Sequence, residues 1–153
     1  MLTWQEFAEV RPDLAAIGRR LLYQYGVGLA FLATVRKDGG PRLHPICPIL
    51  HQEQLYCFVL GASPKRYDLL RDERYALHAF LPAHDDEEFY CSGKAIPVAD
   101  PVVREVVAAR AKHHVRADEV LFALRLARVL HTIWENSRQP NTRPLYTKWQ
   151  APQ

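Results

Sequence analysis

The sequence predicts one mostly β domain of the α+β class, an antiparallel barrel with short helices. Apolar runs of strand length recur from residue 27 onward, and short turn signals separate them. These turns are too short for βαβ crossovers in the first half, which favours a closed or split β-barrel in Greek-key-like meander order. We expect a single domain over 1–153, with N-terminal helices in 1–26 and the barrel with inserted helices in 27–149.

Composition narrows the class of protein further. Of the 153 residues, 48% are hydrophobic and 24% charged, which is typical of a soluble globular domain. The net charge of +3 comes from scattered cations, which argues against a nucleic-acid partner. The N-terminus lacks the features of a signal peptide, and no apolar run is long enough for a membrane span. We therefore expect a cytoplasmic protein without a membrane partner.

Three cysteines, Cys47, Cys57 and Cys91, lie in apolar, strand-like runs. Their odd number and the lack of a CxxC pair argue against a disulfide framework or a structural zinc site. We expect buried, reduced thiols. The histidines, including the adjacent pair His113 and His114 and the isolated His84, show no ligand spacing, so we expect no metal site.

Helical signals open the chain. Thr3 with Glu6 three residues later has the spacing of a capping box and predicts the start of a short helix. Pro12 opens a second helix, which Gly26 and Gly28 are expected to end.

Seven strands follow in the prediction, interrupted by helices over 65–71 and from Asp100-Pro101 onward. A hairpin turn is expected at 37–40 and another turn at 51–54. The run 121–134 alternates irregularly, and a helix there is the alternative. The predicted strands are 29–35, 42–50, 55–60, 75–81, 89–98, 121–134 and 145–149.

The second of these strands carries the first candidate site. Arg42, His44 and Ile46 share one face, where an arginine beside a histidine can bind an anion. Pro45 and Pro48 cannot donate to a central ladder, so the strand lies at an edge or bends. Its free backbone can then hydrogen-bond a planar ligand. The alternative is an edge strand whose Arg and His are simply exposed.

A predicted helix start carries the second candidate. Ser63 is a suitable N-cap and Pro64 a suitable first helical residue. Lys65 and Arg66 follow, although the first turn of a helix favours acidic residues. A hydroxyl, two cations and unpaired N–H groups together form a phosphate cradle. The alternative is an ordinary capped helix with solvated cations.

Taken in order, these segments are similar to a known superfamily. The segments 28–35, 39–45 and 63–70, followed by the strand 88–98, resemble the pyridoxamine 5′-phosphate oxidase-like, FMN-binding split-barrel superfamily. The resemblance implies FMN bound at the subunit interface of a homodimer. It implies that Arg42, Ser63 and Lys65 hold the phosphate, with Arg66 supplementing them. The residues implied beside the flavin ring are Leu43, His44, Pro45 and Ile46.

The resemblance also implies that a late aromatic residue stacks near the partner's flavin, for which we select Trp134. The alternative for Trp134 is the core or the dimer interface. Two positions depart from the superfamily's pattern: Pro64 stands where arginine is common, and Cys47 stands where the founding oxidase has a substrate-binding lysine. The sequence thus indicates the superfamily rather than vitamin B6 oxidation.

These observations predict an FMN-dependent oxidoreductase with a small-molecule substrate. His44 is the candidate for tuning the flavin or transferring a proton. Two alternatives stay open: a deazaflavin-dependent reductase, and a non-catalytic module that binds flavin or haem.

Overall fold

The computed structural model describes residues 1–52, 54–83 and 86–152. These residues form four helices and eight strands. The helices are α1 (Trp4–Val10), α2 (Pro12–Leu22), α3 (Pro64–Arg71) and α4 (Pro101–Ala108). The strands are β1 (Ala30–Val35), β2 (Pro41–Ile46), β3 (Ile49–His51), β4 (Gln54–Val59), β5 (Arg74–Ala79), β6 (Glu87–Pro97), β7 (Val120–Glu135) and β8 (Arg143–Gln150).

One antiparallel sheet contains all eight strands. Its order is β2-β1-β5-β6-β7-β4-β3, and β8 pairs with β7. Only residues 47 and 48 join β2 to β3, yet these strands stand at opposite ends of this order. The sheet must therefore curl until its two ends meet. The ends do not pair with each other, so the barrel is split, as the sequence predicts.

Side chains on the strands alternate between the two faces of the sheet, and those on the inner face form the core. Leu32 on β1 faces Leu77 on β5, and both are almost fully buried, as are Phe89 and Cys91 on β6. The N-terminal helices close this core from one side. Thr3 caps α1 in a capping box, and the rings of Trp4 and Phe89 lie 6.2 Å apart. Apolar burial of this kind is the main term that stabilises the fold.

The thiols follow the same alternation. Cys57 and Cys91 are fully buried, and loss of hydration raises the pKa of each to about 12. Cys47, in the link between β2 and β3, is partly exposed. All three cysteines are free.

Two sequence-based expectations about the early chain are wrong. The predicted strand 42–50 is broken at Cys47-Pro48, because Pro48 has no N–H to continue the ladder and Ile49 turns away to pair with Tyr56. The second helix ends at Leu22, before the predicted glycines. Gly26 instead adopts a φ of 77° in the turn that follows.

Gly28 serves close packing rather than helix termination. A Cβ at this position would lie 1.9 Å from the carbonyl oxygen of Pro48. The missing side chain thus lets the chain before β1 pass directly against the link that splits the barrel.

The later chain agrees better with the sequence-based elements. Residues 121–134 form a strand, and the alternative of a helix is wrong. Helix α4 begins at Pro101 with Asp100 as its side-chain N-cap, as predicted. No helix in the described parts of the chain has the length and apolar character needed to cross a membrane. The cytoplasmic location stays a prediction.

Gly93 provides a test of the barrel's packing. It lies at an irregularity in the β6–β7 ladder, where a Cβ would stand 1.9 Å from the carbonyl oxygen of Arg125. Because this obstacle is backbone, we expect Gly93→Ala to lower the free energy of unfolding by about 1–3 kcal/mol. Urea denaturation at matched protein concentration measures it.

Gly40→Ala is the control for this experiment. The nearest atom to a Cβ there is the movable Asp38 carboxylate, at 3.1 Å, so the expected change is below about 0.5 kcal/mol. Equal stability of the two variants would contradict the packing described at Gly93.

Candidate functional site

The site begins at the open edge of β2. This strand pairs with β1 on one side, and no other strand of the described chain pairs with it on the other. Its register places Arg42 opposite Thr34 and His44 opposite Leu32, so both side chains share the inward face with Ile46. The backbone groups on the free side are therefore available to a ligand.

The remaining ring-facing candidates divide between the two faces of β2. Leu43 and Pro45 lie on the outward face, opposite Ala33 and Phe31. The Leu43 side chain is 62% exposed. His44 is partly buried, and its ring makes no hydrogen bond within the described residues. The strand thus offers an apolar outer surface and one free imidazole.

Asp68 on α3 organises the cationic part of the site. Its carboxylate is 5% exposed and accepts hydrogen bonds from Arg42 Nε at 2.6 Å and from Thr34 Oγ1 at 2.9 Å. Arg71 Nη1 lies 3.5 Å from its other oxygen. Burial by itself raises the pKa of Asp68, but the hydrogen bonds from Arg42 and Thr34 outweigh it, so the pKa lies below its ordinary value.

Asp68 holds only one nitrogen of the Arg42 guanidinium. The Arg42 side chain is 26% exposed, and its two terminal nitrogens make no further hydrogen bond within the described chain. The carboxylate therefore orients the guanidinium and leaves a fork of N–H donors for an anion.

An open groove of about 560 Å³ runs between α3 and the β1–β2 hairpin. Four cations and two carboxylates line it, so its local charge favours an anionic ligand. Two apolar or aromatic residues complete the wall. The lining consists of Arg36, Lys37, Asp38, Arg42, Pro64, Tyr67, Asp68 and Arg71.

The N-terminus of α3 adds a second set of donors. Ser63 is the N-cap residue and Pro64 the first helical residue, as predicted, but the Ser63 hydroxyl makes no capping hydrogen bond. Lys65 is half-buried and has no acidic partner among the described residues. Burial lowers its pKa, an effect that the nearby Cys57 opposes. A cation in this position is stabilised by any anion that reaches it.

Arg66 has a more local role than predicted for a phosphate ligand. Its Nη1 donates to the carbonyl oxygen of Gly61 at 2.5 Å, and its guanidinium lies 4.9 Å from the centre of the Tyr67 ring. Its Nε is buried without a partner within the described chain. Much of the side chain is thus used to hold the turn before α3.

The structure brings Arg42 to α3 but keeps Trp134 elsewhere. Arg42 shares a groove with Pro64 and Asp68 of α3, whereas Ser63 and Lys65 are not among the residues that line this groove. Trp134 lies on β7, four places from β2 in the sheet, and its Nε1 donates to Glu88 Oε1 at 3.0 Å. Within one chain, Trp134 does not join the candidate site.

Sequence reasoning missed Asp68, Arg71 and the hairpin cations Arg36 and Lys37. Asp68 accepts a hydrogen bond from Arg42, which lies 26 residues away in the chain, and the groove forms only because α3 lies beside the β1–β2 hairpin. Among the described residues, no group of three His, Cys, Asp or Glu side chains is placed to hold a metal. His84 lies outside these residues, and the expected lack of a metal site stays a prediction.

Comparison with solved structures decides the fold. A candidate pyridoxamine 5′-phosphate oxidase from Listeria innocua is 15% identical, with a TM-score of 0.61 over 76% of this chain and 96% of that one. The chain has the split-barrel fold. The resemblance predicted from the sequence is thereby confirmed at the level of the fold.

Other split barrels similar to this chain differ in what they bind. A haem-binding protein from Mycobacterium smegmatis is 16% identical, with a TM-score of 0.61 over 83% of this chain and 55% of that one. An F420 reductase is 20% identical, with a TM-score of 0.55 over 66% of this chain and 87% of that one. No protein family and no curated protein matches the sequence.

Replacing Asp68 tests the organisation of this site. Asp68→Asn removes the charge that holds Arg42, and we expect a loss of about 1.5–3 kcal/mol in the free energy of unfolding at pH 7. Because the folded pKa of Asp68 is lowered, its carboxylate stabilises the fold above about pH 4 and this contribution disappears as the pH falls through the folded pKa. The variant should therefore lose less stability on acidification.

Denaturation curves between neutral and acidic pH measure both effects. Asp38→Asn is the matched control, since that carboxylate is 61% exposed and pairs with Arg36 on the surface. An identical acid response in wild type and Asp68→Asn would show that Asp68 is not the organising charge.

Proposed function

We propose that the protein is an FMN-dependent oxidoreductase that acts on a small molecule. The observation that carries this proposal is the unpaired edge of β2 beside the cationic N-terminus of α3. A free backbone edge suits the polar rim of a planar ring, and a helix start with nearby cations suits a phosphate. The split-barrel fold agrees with this combination.

The phosphate would be held by Arg42, Ser63 and Lys65. Ser63 has an uncommitted hydroxyl, Arg42 has uncommitted terminal nitrogens, and Lys65 lacks an acidic partner in the described chain. A phosphate carries two negative charges near neutral pH and would offset the cost of burying the Lys65 ammonium. Arg66 would contribute mainly by fixing the turn before α3.

The ring would lie along the backbone from Leu43 to Ile46. Bound FMN would supply the hydride or electron transfer, and the chain would bind it, orient it and exclude water. His44 would hold or release a proton, because its imidazole is free of other hydrogen bonds in the described structure. The partly exposed Cys47 stands where the founding oxidase has a substrate-binding lysine, so this proposal does not include vitamin B6 oxidation.

We propose that the active form is a homodimer. The outward face of β1 and β2 exposes Phe31 at 39% and Leu43 at 62%, which are apolar side chains that a second copy would cover. Trp134 lies on β7, four places from β2 in the sheet order, and donates a hydrogen bond to Glu88 on β6. We propose that it contributes across the dimer interface.

A second candidate function is that of a deazaflavin-dependent reductase, whose coenzyme has a longer phosphate-bearing tail than FMN. The groove beyond Arg42 is lined by the additional cations Arg36, Lys37 and Arg71, which would suit a longer anionic tail than that of FMN. Similarity to the F420 reductase agrees with this possibility. Parallel binding titrations with FMN and a deazaflavin coenzyme separate the two candidates.

Removing the proposed phosphate ligands should weaken FMN binding selectively. We expect Lys65→Ala and Arg42→Ala each to cost about 1.5–3 kcal/mol of FMN affinity, which is roughly a tenfold to a hundredfold rise in Kd. Riboflavin, which has the same ring without the phosphate, should bind both variants as it binds the wild type. Quenching of flavin fluorescence measures these affinities.

Lys112→Ala, which removes an exposed cation between α4 and β7, is the control and should leave FMN affinity unchanged. FMN affinity that is unaltered in both Lys65→Ala and Arg42→Ala would remove the phosphate assignment.

A further inference from the structure

A separate pocket of about 290 Å³ lies on the outward face of β6, β7 and β8. The strand register sets Tyr90, Leu130 and Lys148 side by side in one row. The next row along the strands contains Arg128 and its partner Gln150. Paired residues of neighbouring strands point to the same face, so these side chains surround one depression.

The floor of this pocket is apolar. Tyr90 and Leu130 are both partly buried, although no helix covers this part of the sheet in the described chain. On the opposite side of the same strands, Phe89, Cys91 and Val129 fill the core. The floor is therefore backed by rigid, packed structure, which favours a preformed site over a deformable one.

The rim of the pocket is cationic. Arg128 and Lys148 are exposed, and within the described chain neither forms an ion pair with an acidic residue. Lys148 Nζ lies 5.1 Å from the centre of the Tyr146 ring, which keeps the ammonium close to the sheet. The neighbouring carboxylate of Glu88 accepts a hydrogen bond from Trp134 and lies 3.9 Å from His78 Nε2. The rim thus has two cations, and neither is held in an ion pair within the described chain.

We propose that this pocket binds a small aromatic carboxylate. Tyr90 and Leu130 would contact the apolar ring, and Arg128 and Lys148 would bind the carboxylate. The volume is at the lower end of the range for ligand pockets, which limits the ligand to one or two rings. The lining of this pocket shares no residue with the proposed cofactor site.

Calorimetric titration of the purified protein with 2-naphthoate and with its uncharged analogue 2-naphthalenemethanol tests this proposal. The two probes share the ring and differ in charge. We expect the acid to bind about tenfold more tightly than the alcohol, since one charge-assisted hydrogen bond is worth about that factor. In the double variant Arg128→Gln/Lys148→Gln this preference should disappear while binding of the alcohol is retained.

Two further variants serve as controls, one for the loss of a cation elsewhere and one for the pocket floor. Lys112→Gln removes a remote exposed cation and should leave the preference for the acid intact. Leu130→Glu places a carboxylate in the floor and should abolish binding of the acid, with an unchanged circular dichroism spectrum as evidence of folding.

Three results would overturn the proposal. They are equal affinity for acid and alcohol in the wild type, retention of the preference in the double variant, and loss of acid binding in Lys65→Ala. The last result would place the acid at the N-terminus of α3. Because FMN is absent from these titrations, failure of the proposed cofactor site leaves their outcome unchanged.

Discussion

The break between β2 and β3 determines how the barrel closes and where its sheet is left with an open edge. At Cys47-Pro48 the chain leaves one end of the sheet and begins the other, and this closes the barrel without pairing its two ends. Pro48 cannot extend the ladder, and the missing side chain of Gly28 lets the preceding chain pack against it. The unpaired edge of β2, where the cofactor ring is proposed to lie, follows directly from this break.

Charged side chains around α3 make the open edge of β2 a candidate binding site. Asp68 takes one nitrogen of Arg42 and the hydroxyl of Thr34, which connects the helix to β1 and β2 in one buried arrangement. Lys65 lies in the first turn of α3 without such a partner in the described chain. One cation is thereby oriented while the other stays unneutralised, and together they favour an anion at the helix start.

Local patterns in the sequence predict most of this architecture. The capping box at Thr3, the alternation in the strands and the Ser63-Pro64 helix start depend on neighbours in the chain, and each is found in the structure. Long-range pairing is not visible locally. The salt bridge of Asp68 with Arg42 spans 26 residues, and the split of the predicted strand 42–50 depends on a ladder between Ile49 and Tyr56. Pro45 and Pro48 predict that the strand is interrupted, but not that its first part pairs with β1 and its second part with β4.

Binding of FMN is measured from the visible absorption spectrum of the purified protein, recorded after incubation with FMN and removal of free ligand. We expect a retained flavin band with about one FMN per chain, and its loss in a variant that lacks both Arg42 and Lys65. A protein that stays colourless under these conditions, or that retains haem with a sharp Soret band instead, would contradict the assignment of β2 and α3 to a phosphorylated flavin.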